Sequence, residues 1–236
     1  MIEVEWLSKK GRQRNFNNDA VAVSCVDGFL VAIIVDAAEK ILNGRVLYGE
    51  NDQGKRLANY WAETCLSAII DNDLLLDRFR FFEVLSAQHK KLKFDYLHDV
   101  ACYGVLIVDT KNNSADWYYV GDCLIGQEGQ DNRVSWLHSP NRANELFEPS
   151  LESVSKHVIT KSLNAKRFDY PDHLALDSVN NMGDLILATD GYWCEHLQDG
   201  VAMSDLEDDC SVLKIKYGNK IFRAKTDTPN FFVCGY

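Results

Sequence analysis

Asp27-Gly28 stands between two apolar runs, Asp19 to Val26 and Phe29 to Asp36, and this dipeptide constrains the chain more than any other feature. Asp-Gly between such runs is the strongest short-range sign of a two-residue turn with positive φ, so an antiparallel hairpin is expected. That turn fixes the register: Val26 faces Phe29, and Asp19 faces Asp36. Directly opposed residues have Cβ atoms about 4.5–5.5 Å apart, where like charges repel. A protein keeps such a pair when a cation, a shared proton or a strongly basic neighbour stands between them. A metal ion is the reading adopted here.

Further carboxylates end other apolar runs. Asp184-Leu-Ile-Leu-Ala-Thr leads into Asp190-Gly191, Asp209 opens Cys-Ser-Val-Leu-Lys-Ile-Lys-Tyr, and Trp117-Tyr-Tyr-Val leads into Gly121-Asp122. Taken singly, each Asp is explained as a turn former or cap. Several at strand ends, two of them opposed by register, argue instead for convergence on one rigidly supported point.

The chain has 236 residues, 46% of them hydrophobic, which suffices for a sizeable core. No Pro/Gly/Ser-rich linker, repeat or low-complexity tract divides it, so a single domain over 1–236 is expected. No apolar run approaches the ~20 residues of a membrane span, and Met-Ile-Glu-Val-Glu-Trp is no secretion signal. Seven Cys without C-x-x-C spacing argue against disulfides or structural zinc and suit a reducing cytoplasm. A net charge of −10 without a basic stretch argues against nucleic-acid binding.

Helical spacing covers Gly54 to Ile70 (Leu57, Trp61, Cys65, Ala68) and Asp73 to Lys93 (Leu75, Phe79, Phe82, Leu85, Leu92), with Asp71-Asn-Asp73 as turn and N-cap. The Lys90, Lys91 and Lys93 cluster reads as the solvated face of the second helix. A second hairpin is expected from 101–108 and 116–120, extended by 123–126 and 134–137. A short strand is expected at Val158-Ile-Thr, and a tight turn at 216–221 introduces closing strands. Strands on both sides of one helical block indicate an α+β fold, a central β-sandwich of two mostly antiparallel sheets flanked by helices in α-β-β-α layers.

In chain order these segments resemble the metal-dependent Ser/Thr protein phosphatases, the PPM or type 2C class, in a small bacterial-type form. Arg14-Asn-Phe-Asn-Asn-Asp19 is similar to that family's Arg-x-x-x-Glu-Asp opening, and Ile33-Ile-Val-Asp36-Ala37 to its apolar run ending in Asp-Gly. Tyr119-Val-Gly-Asp122-Cys resembles Val-Gly-Asp-Ser, and Thr160-Lys-Ser-Leu163 resembles Thr-Arg-Ala-Leu. Gly183 to Trp193 looks like the Ser-Asp-Gly-Leu-Trp strand, and Asp208-Asp209-Cys-Ser-Val matches Asp-Asn-x-Thr-Val. Six matches in the right order cover most of the chain.

The resemblance implies two Mn²⁺ or Mg²⁺ ions per chain. Asp36 would bridge them and Asp19 would support the centre, while Asp190 and Asp209 would hold one ion and the Ala37 carbonyl the other. Arg14 would grip the substrate phosphate, a task suited to a planar guanidinium. Asp122 would line a weaker third metal site. The implied activity is hydrolysis of phosphoserine or phosphothreonine in proteins by a water activated between two ions. All-oxygen donors select such hard cations.

There are departures. Ala37 replaces the family's Gly, Asn18 its Glu, and Ala38 stands where some members carry a general-acid His. Cys194 occupies the place of a further carboxylate, and the segment from Asp190 to Asp209 is short enough that a helix is expected to be missing. Two alternatives therefore stand beside catalysis on phosphoproteins: a degenerate binding or regulatory module, and a metal-dependent phosphoesterase acting on small molecules.

Overall fold

A computed structural model describes residues 2–38, 41–42, 45–46, 52–71, 78–142, 158–177, 179, 183–219 and 221–234. Strands β1 (Ile2–Lys9), β2 (Asp19–Val26) and β3 (Phe29–Ala37) are followed by the short pair β4 (Ile41–Leu42) and β5 (Arg45–Val46). Helices α1 (Gln53–Asp71) and α2 (Arg78–Asp95) come next. A meander follows, of β6 (Val100–Asp109), β7 (Ser114–Val120), β8 (Leu124–Glu128) and β9 (Val134–Trp136). The remainder comprises β10 (Leu163–Asn164), β11 (Asp172–Asp177), β12 (Asp184–Ala188), helix α3 (Gly191–Gln198), β13 (Cys210–Tyr217), β14 (Ile221–Thr226) and β15 (Phe231–Cys234).

The first hairpin forms in the expected register. Asp27 and Gly28 take φ of 49° and 92°, the left-handed pair that such a turn requires, and Asp19 pairs with Asp36. One sheet has the order β14-β1-β13-β12-β8-β9, and the other β11-β7-β6-β3-β2-β15 with β10 alongside β6. Pairing is antiparallel except for β1 with β14 and β2 with β15. The α+β sandwich of mostly antiparallel sheets is therefore present.

Strand parity explains how both faces are filled. Val21, Val23, Leu30, Ala32 and Ile34 meet Leu185, Leu187, Leu213 and Ile215 between the sheets. The alternate residues Val31, Ile33 and Val35 turn outward against Leu57, Trp61, Cys65 and Leu66 of α1 and Phe81 and Leu85 of α2. Strand β3 is thus buried on both faces, which is why it reads as a continuous apolar run rather than an alternating one. On the opposite face, Tyr192, Trp193 and Cys194 of α3 cover Ile186, Ala188 and Val212. Lys90, Lys91 and Lys93 are exposed, as expected of a solvated face.

Several expectations change. The short helix α3 occupies the segment from which a helix was expected to be missing; it is wound in the wider i→i+5 form. Residues 158–160 form no strand: Ile159 makes one isolated bridge to Arg142, and the pairing shifts to β10. The closing strands expected after β13 are present as β14 and β15, with β1 lying between β13 and β14. The sequence reading missed β1 itself, since Ile2, Val4 and Trp6 alternate with charged residues only over a short stretch. The expected turn and N-cap at 71–73, and Leu75, fall largely outside the described residues.

One end of the inter-sheet core is closed by polar side chains. Fully buried Asn230 accepts the Trp6 indole N–H (3.0 Å) and donates to Ser8 Oγ (2.9 Å) and to the Asp19 carbonyl (2.9 Å). Ser211 Oγ donates to Ser8 Oγ (2.7 Å), and Thr189 Oγ1 donates to Asp19 Oδ2 (3.0 Å). A buried polar group deprived of its partner costs about 1–3 kcal/mol, and Asn230→Ala orphans at least two. Asn230→Ala is expected to lower unfolding free energy by roughly 2–4 kcal/mol in urea titrations. A loss under about 0.5 kcal/mol, the range of a neutral surface change, would refute the network's structural role.

Candidate active site

At this same end, loops and strand termini enclose a cavity of about 300 Å³. Its lining includes Arg14, Asp36, Ala37, Asp122, Asp190 and Asp208, with Arg142 on the same wall. The loop before β2 lies against the segment before β13: Arg12 and Gln13 donate backbone N–H groups to the Leu206 and Glu207 carbonyls at 2.9 and 3.2 Å. Gly191 touches the Asp209 backbone so closely that any Cβ there would collide with it. That contact sets the start of α3, and Asp190 with it, beside Asp208.

The predicted residues divide into two groups. Asp36, Ala37, Asp190, Asp122 and Arg14 reach the cavity. Asp19 lies beneath it, on the inter-sheet face with Val21 and Val23, paired in register with Asp36. Asp209 is not part of the cavity lining. Parity places it inward with Ser211, Leu213 and Ile215; its Oδ1 accepts the Gly11 N–H (2.9 Å) and its Oδ2 the Asn18 N–H (2.8 Å). It ties two loops together, each oxygen accepting one backbone N–H. Asp208 lines the cavity instead. The pattern Asp-Asn-x-Thr-Val already held this signal, because Asp208 falls under its leading Asp and Asp209 under its Asn.

Arg14 grips Asp208 with two bonds, Nε to Oδ1 at 2.7 Å and Nη2 to Oδ2 at 2.6 Å. Asp122, the expected lining of a third metal site, meets a guanidinium. Arg142 Nε and Nη2 lie 2.9 and 2.8 Å from its Oδ2, and Nη2 also donates to Asp190 Oδ2 at 2.8 Å. Sequence reading missed Arg142, which lies in the mixed stretch after Ser139 and belongs to no motif.

Electrostatics separates the corners. Burial raises the Asp36 carboxyl well above its usual range, and Asp19, Asp190, Asp122 and Asp208 each push further the same way. Burial also raises Asp19, with Asp209 adding to it, against weaker opposition from the Ser211 and Thr189 hydroxyls. Asp190 is raised by burial and by Asp122 and Asp208, with Arg142 opposing. Burial pushes Asp209 up to about 7 despite its two N–H donors.

Among the described residues, no three His, Cys, Asp or Glu side chains gather into a preformed metal cage. Asp208 is paired with Arg14 and Asp190 with Arg142. A hydrated Mg²⁺-type ion needs only one or two carboxylates beside its waters. The Asp36 corner fits that need: burial and four neighbouring carboxylates are the largest influences on Asp36, and among the described residues buried Asp19 Oδ1 has no hydrogen-bond partner. The Asp122 corner does not, because its positive charge is already in place.

No protein-family model matches the sequence, and no curated protein matches it. Solved structures do match. The serine/threonine phosphatase of S. agalactiae superposes with TM-score 0.65 at 14% identity, covering 92% of this chain and 100% of that one. Stp1 from Staphylococcus aureus gives TM-score 0.67 at 14% identity, covering 93% and 96%. The catalytic domain of PstP in complex with two manganese ions gives 0.61 at 13% identity, covering 91% and 97%. The fold is that of bacterial serine/threonine phosphatases over nearly the whole chain.

Raised carboxyl pKa values have a stability consequence. A carboxyl that binds its proton more readily when folded stabilises the folded state at low pH, and that contribution is lost as pH rises toward its folded pKa. For Asp209 the window runs from about 4 to about 7. In EDTA, the urea midpoint is expected to be lower at pH 8 than at pH 5. A midpoint that rises over this interval would contradict the burial of these charges.

Proposed function

We propose that this chain is a metal-dependent phosphatase of phosphoserine and phosphothreonine in proteins, with Asp36 at its centre. The observation that carries this reading is a cavity lined by Asp36, Asp190, Asp208 and Arg14 at the end of a sandwich shared with serine/threonine phosphatases. Asp36 and the Ala37 carbonyl would hold one Mn²⁺ or Mg²⁺, and Asp36, Asp190 and Asp208 a second. When bound, such ions would acidify a water and neutralise phosphoryl oxygens during in-line displacement.

The chain's own groups carry the remaining tasks. The Ala37 N–H donates to the Asn18 carbonyl (3.1 Å) and the Ala38 N–H to the Val100 carbonyl (2.9 Å), which fixes the backbone around the Ala37 carbonyl. Asp19 restrains Asp36 from across the hairpin and adds negative potential beneath it. Arg14 would exchange the Asp208 carboxylate for substrate phosphate, which offers the same two-point geometry. Ala38 supplies no proton to a leaving oxygen, and among the described residues no histidine lines the cavity, so solvent is the acid in this reading.

A second reading, a binding or regulatory module, is favoured by one observation. Asp190 and Asp208 are already paired with arginines, which lessens their demand for an ion. Hydrolysis of an aryl phosphate and a phosphothreonine peptide, with and without Mn²⁺, separates the two. Wild type is expected to turn over both only with Mn²⁺, and Asp36→Asn to lose roughly 100-fold or more in kcat/KM. Absence of Mn²⁺-dependent turnover would leave the binding module standing.

A paired comparison tests the ligand assignment. Asp208→Asn is expected to weaken Mn²⁺ binding about 10-fold or more while folding normally, in the range reported for loss of metal-site partners. Asp209→Asn is expected to keep Mn²⁺ affinity and instead to lose roughly 1–2 kcal/mol of stability, because an amide N–H would face a backbone N–H. Isothermal titration and urea melts read both quantities; the reverse pattern would return the ligand role to Asp209.

A further inference from the structure

Arg142 is fixed from every side. Its side chain is 3% exposed, and its guanidinium lies 4.5 Å from the centroid of the Trp193 ring. Nη1 approaches Cys194 Sγ at 3.8 Å, and the Trp193 indole N–H donates to the Asp122 carbonyl at 2.9 Å. The backbone is stitched down as well. Asn141 N–H donates to the Gly121 carbonyl (2.9 Å), Gly121 N–H returns a bond to Asn141 Oδ1 (3.0 Å), and Thr160 N–H donates to the Asn141 carbonyl (2.8 Å). Burial works against the charge of Arg142, but Asp122 and Asp190 outweigh it, and the group holds its proton more firmly than usual. An arginine so placed is a permanent cation that no chelator removes.

We propose that Arg142 is a resident cation that fills the corner between Asp122 and Asp190 in place of a divalent ion, so that shortening it creates a cation site there. Without the guanidinium, two carboxylates on one cavity wall would lack compensation, and a hydrated divalent ion can be held by as few as one or two carboxylates. Cys194 contributes a neutral sulfur at the position where the resemblance implied another carboxylate, which suits a corner built for a guanidinium. Arg142 acts as a positioning residue: it fixes Asp190 through Oδ2 whatever the metal concentration. The inference rests on the proposed metal centre only where it describes what Asp190 is positioned for.

The test counts Mn²⁺ equivalents per chain, by isothermal titration and by electron paramagnetic resonance of free Mn²⁺, in wild type, Asp122→Asn, Arg142→Ala, Arg142→Lys and the Arg142→Ala/Asp122→Asn pair. Wild type and Asp122→Asn are expected to bind equal numbers, and Arg142→Ala one more. The lysine variant, which keeps a charge, and the double variant are expected to return to the wild-type number. An ion lost from wild type on Asp122→Asn would overturn the proposal, as would a folded Arg142→Ala that gains none. Should Arg142→Ala fold only when Mn²⁺ is present, the melting shift is the expected gain in another form. Arg142→Gln, polar but uncharged, replaces it if alanine is not tolerated, and the same gain or its absence decides. If wild type binds no Mn²⁺, the proposed centre fails, yet a gain in Arg142→Ala that Asp122→Asn abolishes still upholds the resident cation.

Discussion

Repulsion among buried carboxylates at one end of the sandwich is the constraint on which the rest of the site depends. Asp19 and Asp36 are locked opposite each other by a two-residue turn, and Asp190, Asp208 and Asp209 are delivered to the same end by β12 and β13. Isolated buried charges are too costly to persist, so each must be neutralised, bonded or protonated. The structure uses a different device at each position. Backbone N–H groups satisfy Asp209, a hydroxyl satisfies one oxygen of Asp19, and two arginines hold Asp208, Asp122 and Asp190. At Asp36 the largest influences, burial and four neighbouring carboxylates, all oppose its charge.

The two arginines serve different ends. Arg14 is partly exposed and lines the cavity from a loop, so solvent reaches its pair with Asp208. Arg142 is buried beneath an indole and tied into the loop beside Gly121, so its partners are permanent. Burying an ion pair confers little net stability compared with apolar packing, but breaking one leaves a stranded charge. Its value here is therefore positional.

Much of this was legible in the sequence because two periodicities are strong. The Asp-Gly turn dictated the β2–β3 register, and the spacing of Leu57, Trp61 and Cys65 marked the buried face of α1. Carboxylates at strand ends were readable for the same reason, since strands dictate where their ends lie. What was missed depends on contacts between segments far apart in the chain. Arg142 carries no local pattern, and Asn230 acts on partners more than two hundred residues away. That Asp208 rather than Asp209 reaches the cavity could be read with the parity of β13, which sends 209 inward with 211 and 213. The absence of a β13–β14 hairpin was unreadable too, because the intervening strand comes from the opposite end of the chain.

The placement of β15 beside β2 bears on the order of events during folding. Asn230 holds the Asp19 carbonyl and the Trp6 indole, and β15 covers the outer edge of the strand that carries Asp19. Asp19, Asp36, Asp122, Asp190, Asp208 and Asp209 all precede that clamp in the chain. Long-range pairings of this kind close slowly, since their loop entropy must be overcome first. The clamp on the Asp19 carbonyl is accordingly set only once β15 has joined β2, after strands nearer in the chain have already met.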